Sequence, residues 1–250
     1  MAESSLKGLA SGVLLLSDRY ERKARLAPGL FVVVPIAVYA YTAAASALSW
    51  YQSVGLAALV EALLALFAGH LSRALGVAAQ GRLFPSGLPT HNWLSAHGPR
   101  SIQQRMQWQA ALRSLTGIDI YLDEDPAEQQ KAIEDAVSQA RVRLRGNKKD
   151  GLLQTHNEEY GFARNLLGLT PIWLAASLVT VVATGVPLFR GGQDWLIFAI
   201  EVVFFVAGVA YAIVGGRYVK WTADRYAESF LAAVVMASEK LAVTLGDAGD

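Results

Sequence analysis

From Ala27 to Val60 the chain carries no charged side chain. About 20 apolar residues in a helix cross the roughly 30 Å hydrocarbon core of a bilayer. The run is too long for a single crossing, and backbone polar groups in lipid must be satisfied within a helix or closed barrel. Two membrane helices are therefore expected here, Pro28–Ser49 and Gln52–His70, parted at Ser49–Gly55, where Trp50 and Tyr51 suit the headgroup boundary. A second uncharged stretch between Arg164 and Arg190 predicts a third span, Leu166–Phe189, with Pro171 in its first turns, where a missing donor is tolerated. The tight turn "RGGQD" leads to a fourth, Trp195–Gly216.

Composition agrees. The chain is 53% hydrophobic and 17% charged, against about 25% charged in soluble domains, and its mean hydropathy is +0.31. A net charge of +1 gives no global case for nucleic acid, and the lack of cysteine excludes disulfides and thiol catalysis. Ala45-Ser46-Ala47 matches a cleavage site for an export signal, but the lead before it carries acids as well as bases and the apolar run is too long, so the segment is expected to be retained.

Residues 71–164 are polar and mixed. "FPSGLPTHNW" and "SAHGPR" read as loop, "RSIQQRMQWQAALRSL" as helix, and "TGIDIYLDEDP" as a break with room for one short strand. The next helix opens with Asp125 as N-cap and Pro126 at the first helical position. After the fourth span, apolar positions at Val219, Tyr226, Phe230, Val234, Ala237 and Leu241 predict that the helix continues. Basic residues cluster on one set of span ends (Arg19, Arg22, Lys23 and Arg25; Arg73 and Arg82; Arg145, Lys148, Lys149 and Arg164; Arg217, Lys220 and Arg225) against Arg190 on the other, so both termini and the middle region are expected in the cytoplasm. The expected fold class is an all-α membrane protein with four transmembrane helices as two hairpins flanking a helical cytoplasmic core. Its parts are a lead (1–26), hairpin 1 (27–70), the core (71–164), hairpin 2 (165–216) and a C-terminal helix (217–250).

Glu61 and Glu201 each fall early in the second helix of a hairpin. A carboxylate in lipid costs on the order of 2.5–3.5 kcal/mol on insertion scales, so each is expected to face a bundle interior or water. In an oligomer they become candidates for an acidic pore ring; the alternative is snorkelling to headgroups or a hydrogen bond to a neighbouring helix. Arg141, Arg143, Arg145, Lys148 and Lys149 form a basic cluster, and Arg100, Arg105, Arg113 and Trp108 a basic–aromatic one, suited to phosphates and stacked bases. Against this, arginines spaced by two spread around a helix, and a basic helix end also matches the dipole and anchors the membrane flank. Glu159, Tyr160 and Arg164 lie where a charged helix meets the third span and are candidates for coupling the core to it. His91, His97 and His156 lack metal-ligand spacing, and no phosphate loop, nucleophile elbow or triad is present, so neither metal, cofactor nor enzymatic activity is expected.

"NEEYGFARNLLGLTPIWL" (Asn157–Leu174), "ADRYAESFLAA" from Ala223, and a hairpin on each side of a polar middle carry a resemblance. The chain resembles the membrane, ion-channel effectors of Hailong-type nucleotide-signalling antiphage defence in bacteria. The resemblance implies a homo-oligomer, a tetramer, in the bacterial inner membrane. It implies a DNA oligomer or other nucleotide held by the cytoplasmic core, which keeps the channel shut until infection removes it, and a nucleotidyltransferase encoded alongside. The alternative is a non-conducting scaffold or accessory subunit that recruits a cytoplasmic enzyme.

Overall fold

The computed structural model describes residues 19–45, 48–120, 125–145, 151–189 and 195–247. Among these no strand occurs. The long helices are α1 (Arg19–Ala45), with a π-helical turn at Arg22–Leu26, and α2 (Trp50–Leu83). A short α3 (Pro89–Asn92) precedes α4 (Ile102–Thr116) and α5 (Pro126–Arg145). Then come α6 (Gly151–Phe189) and α7 (Trp195–Asp247). Among the described residues four helices, α1, α2, α6 and α7, are long and apolar enough to cross a membrane. The chain divides into two compact units: residues 1–83 with 158–219, and residues 84–157 with 220–250.

In the first unit the usual arrangement of a soluble protein is inverted. Leu63, Phe67, Val179, Val203 and Ile213 are more than half exposed, while Ser53, Ser72, Asn165, Thr170, Ser177, Thr180 and Glu201 are buried. Apolar side chains outside and polar ones inside are what lipid as solvent selects. Small residues let the backbones approach closely. A Cβ on Gly168 would lie 2.5 Å from the Gly76 amide nitrogen, so α6 and α2 meet main chain to main chain; a Cβ on Gly29 would lie 2.8 Å from the Ala65 carbonyl, joining α1 to α2 in the same way. Val32, Leu166, Leu169 and Trp173 fill the centre, with Phe31 edge-on to Trp173 at 5.0 Å. Pro171 does not sit near a helix start as expected. Residues from Gly151 onward are already helical, so it falls deep inside α6, with Pro187 near the other end. Membrane helices accommodate such prolines because neighbouring groups re-satisfy the freed carbonyls.

The second unit is a conventional amphipathic packing. Leu112, Ile133, Ala136, Val137, Leu231 and Val234, fully enclosed, interlock α4, α5 and the C-terminal part of α7, and Trp93 stacks on Trp108 at 6.0 Å. The helix ends follow local chemistry. Ser101 accepts the Gln104 amide at 3.3 Å and caps α4, and Gly117 closes it at φ 79°, a left-handed conformation that favours glycine. Asp125 accepts the Ala127 amide at 3.3 Å, with Pro126 in the first turn of α5, as its sequence implies. The short strand allowed for at "TGIDIYLDEDP" does not form over Gly117–Ile120, which is irregular; 121–124 lie outside the described residues. The helix after the fourth apolar segment does continue, as one element to Asp247.

Candidate functional site

Along α6, Trp173, Ser177, Thr180 and Thr184 recur at helical spacing and so share one face. This face meets α7. Contacts run in opposite chain order: a Cβ on Gly185 would lie 3.0 Å from the Phe198 ring, Thr180 meets Glu201, Trp173 packs beside Gly208, and the Tyr211 hydroxyl donates to the Ala163 carbonyl at 2.9 Å. Glu201 is wholly enclosed here. Thr180 Oγ1 is 2.6 Å from Glu201 Oε2 and 3.1 Å from the Ser177 carbonyl oxygen. Glu201 Oε1, Ser177 Oγ and Trp173 Nε1 are buried with no hydrogen-bond partner among the described residues. A fully enclosed carboxyl whose one hydrogen-bonding neighbour among the described residues is a threonine hydroxyl is a costly arrangement for packing alone.

The two acids singled out in the membrane segments therefore differ. Glu201 is enclosed within the chain, whereas Glu61 on α2 is partly exposed, beside the exposed Leu63.

Where α6 begins its apolar stretch, a second cluster forms within the first unit. Glu158 is 3% exposed and lies 3.0 Å from both Arg19 and Lys23 of α1. A Cβ on Gly161 would lie 2.8 Å from the Ala24 Cβ and from the Tyr20 hydroxyl, so α1 rests directly on α6. Asn165, fully enclosed, donates to the Ala24 carbonyl at 2.6 Å, inside the π-helical turn. Tyr160 is buried and donates to Gln80 Oε1 at 2.9 Å, and Arg164 donates to the same oxygen at 3.1 Å. Glu159 is half-buried beside them. Of this cluster, Glu159, Tyr160 and Arg164 were legible as candidates and Glu158 as an acid of the same stretch; Asn165 and Gln80 were not. Uncharged Asn165 and Gln80 carry no sequence signal of their own, although a Gly161–Asn165–Gly168 series at helical spacing points to a close helix contact.

In the second unit most candidate arginines have internal partners. Arg105 donates to the Ser95 carbonyl at 2.9 Å and to the Ala96 carbonyl, closing the loop before α4. Arg143 donates to the Leu115 carbonyl at the end of α4. Arg113 pairs with Asp119 at 2.6 Å. Arg100 lies over the Trp93 ring at 3.9 Å, and Arg141 over Phe230 and Tyr226 at 5.8 and 6.0 Å. Trp108 is 6% exposed and stacks on Trp93, so it offers no face to a base. The side chain of Arg145, and Lys148 and Lys149, lie outside the described residues.

No group of acids and histidines able to hold a metal ion occurs among the described residues. His156 is buried and accepts from Arg225 at 2.9 Å, which fixes its Nε2 as an acceptor. Burial, and then the Arg141 charge, hold His91 below the ordinary histidine value, with Glu134 opposing.

No protein-family model matches the chain, and no curated protein or solved structure does either.

Proposed function

We propose that this chain is an ion-conducting membrane effector of bacterial antiphage defence. In this reading α1 with α2, and α6 with α7, cross the inner membrane as two hairpins, with both termini and the second unit in the cytoplasm. The observation that carries conduction is the enclosed Glu201 set against the hydroxyl face of α6. A protein that only needed to sit in lipid would gain from an apolar residue there, because an unsatisfied buried carboxyl is destabilising. The retained polar face supports passage of an ion or proton through the membrane unit.

The gating arm of the proposal rests on the resemblance carried by Asn157–Leu174. A nucleotide or DNA oligomer bound by the second unit of a homotetramer keeps the pathway shut, and its loss opens it. Arg113, exposed although paired with Asp119, and Arg100, over the Trp93 ring, are the candidates for that ligand's phosphates, because Arg105 and Arg143 are spent on backbone carbonyls. The coupling route runs through Glu158, Tyr160 and Arg164 on α6, which enters the membrane unit from the second unit without a break in the helix.

Reconstitution into liposomes tests conduction. The wild-type protein is expected to dissipate an imposed ion gradient, and the Glu61→Ala, Glu201→Ala double variant to lose that leak. A leak of wild-type size in the double variant refutes the assignment of the acids. Mass and absorbance of material travelling with the detergent-purified protein test the ligand: a nucleotide-free preparation whose leak stays regulated refutes an oligonucleotide gate.

One observation favours a second reading. With most of its arginines turned to internal partners, the second unit is a self-satisfied helical packing, as suits a scaffold that recruits a cytoplasmic enzyme. A wild-type protein that folds, inserts and never conducts supports that alternative.

A further inference from the structure

Thr180 Oγ1 has two neighbours at hydrogen-bonding distance, the Ser177 carbonyl oxygen and Glu201 Oε2. A hydroxyl owns one proton and can also accept. A carbonyl oxygen can only accept. Both contacts are hydrogen bonds at once only when Thr180 gives its proton to Ser177 and receives one from Glu201. The 2.6 Å Thr180–Glu201 separation is at the short end for such bonds.

The opposite assignment fares worse. An ionised Glu201 takes the single Thr180 proton, and its other oxygen has no donor among the described residues. That leaves a fully enclosed carboxylate with one hydrogen bond, which is far more costly than an enclosed neutral acid. Among the described residues no cation pairs it. Neither Lys nor Arg occurs in Ala27–Ser72, Asn165–Phe189 or Trp195–Gly216. The titratable side chains of those segments are Tyr39, Tyr41, Tyr51, Glu61 and His70 on or beside α1 and α2, and Tyr211 on α7.

We propose that Glu201 is a proton-binding site inside the membrane unit, its proton held in a chain from the carboxyl through Thr180 to the Ser177 carbonyl. Ser177 and Thr184 continue the same face of α6, so hydroxyls flank the site along the helix. This rests on the reading of the first unit as membrane-embedded, and it names the proton as the species that the enclosed acid handles. It does not require that the protein conduct.

Infrared spectroscopy of the full chain in lipid bilayers decides it. The Glu201→Gln spectrum, subtracted from wild type, is expected to show loss of a protonated-carboxyl C=O band. Loss of carboxylate bands instead overturns the proposal. In Thr180→Val the acid band is expected to move to higher frequency as its hydrogen bond disappears; an unmoved band overturns the chain. Dicyclohexylcarbodiimide gives an independent readout. The acid's O–H adds across one C=N bond, its proton going to nitrogen and its oxygen to carbon, and an oxygen-to-nitrogen acyl shift leaves an N-acylurea. Nothing departs, so the mass gain equals the whole reagent. The adduct is expected on peptide 191–217 of wild type and not of Glu201→Gln, while a water-soluble carbodiimide reaches the exposed Glu239 and spares Glu201. Labelling of Glu201 by the water-soluble reagent to the extent of Glu239 overturns its enclosure. An acid band without any ion leak refutes the conduction reading and leaves this one standing.

Discussion

Removing the charge of Glu158 by Glu158→Gln loosens α1 from α6. Each carboxylate oxygen faces its own cation at 3.0 Å, Arg19 on one side and Lys23 on the other. At an effective dielectric constant of about 20, each pair is worth about 5.5 kcal/mol of Coulomb attraction before desolvation. Much of that is cancelled, since burying an ion costs several kcal/mol and losing one partner of a buried pair typically destabilises by about 3–5 kcal/mol. Here the cations are about half exposed, at 52% and 56%, while Glu158 is 3% exposed, so solvent screens one end of each pair. The contacts also lack hydrogen-bond alignment, so Coulomb attraction carries them. The expected loss is therefore about 2 kcal/mol, below the fully buried range and above the 0–1 kcal/mol of surface pairs. Reversible unfolding of the detergent-solubilised protein, with Arg19→Ala, Lys23→Ala and each double variant, completes the cycles. Each cation is expected to couple to Glu158 by about 1 kcal/mol, an amount typical of residues in direct contact. Coupling within error of zero for both, or a Glu158→Gln protein as stable as wild type, refutes the argument that this acid fastens α1.

Three further outcomes are expected. Leu112→Ala empties a fully enclosed site in the second unit and costs about 2–5 kcal/mol, read by chemical denaturation of the intact chain. Gly168→Val forces apart the main chains of α6 and α2 and costs about 1–3 kcal/mol, read as a lower thermal midpoint in detergent. His91, held below the ordinary value mainly by burial and then by Arg141, resists protonation in the folded state while the unfolded chain takes up the proton. The folded second unit therefore keeps its full stability above the ordinary histidine value and loses part of it as pH falls toward the lowered one. The protection factors of amides over residues 84–100, observed exchange compared with the intrinsic rate at each pH, are expected to fall on acidification, and His91→Gln to flatten that dependence.

The membrane helices were legible because lipid imposes a rule on composition: long uncharged runs such as Ala27–Val60 have few alternatives. The start of α5 was legible for an equally local reason, since Asp125 and Pro126 act within one helical turn. Partners set by tertiary approach were not. Arg105 and Arg143 look like surface cations in the sequence, yet their long side chains reach back to carbonyls of neighbouring segments. Trp108 reads in the sequence as a stacking platform among basic residues, and its apposition to Trp93 places it in the core instead. Glu158 and Glu159 are adjacent acids, and which of them faces Arg19 depends on the rotation of α6 against α1. Glu201 was conspicuous as a charge in lipid, but the hydroxyl opposite it comes from another helix.

The π-helical turn at Arg22–Leu26 carries one residue more than an α-helical path of the same course would need. The Asn165 amide grips the Ala24 carbonyl within that turn. Deleting Ala24 would let α1 keep its course with ordinary winding, so Arg19 would stay toward Glu158 while the carbonyl presented to Asn165 came from another residue. The spare residue thus uncouples the two anchors of α1, one of which tolerates a shortened chain while the other is rebuilt by it.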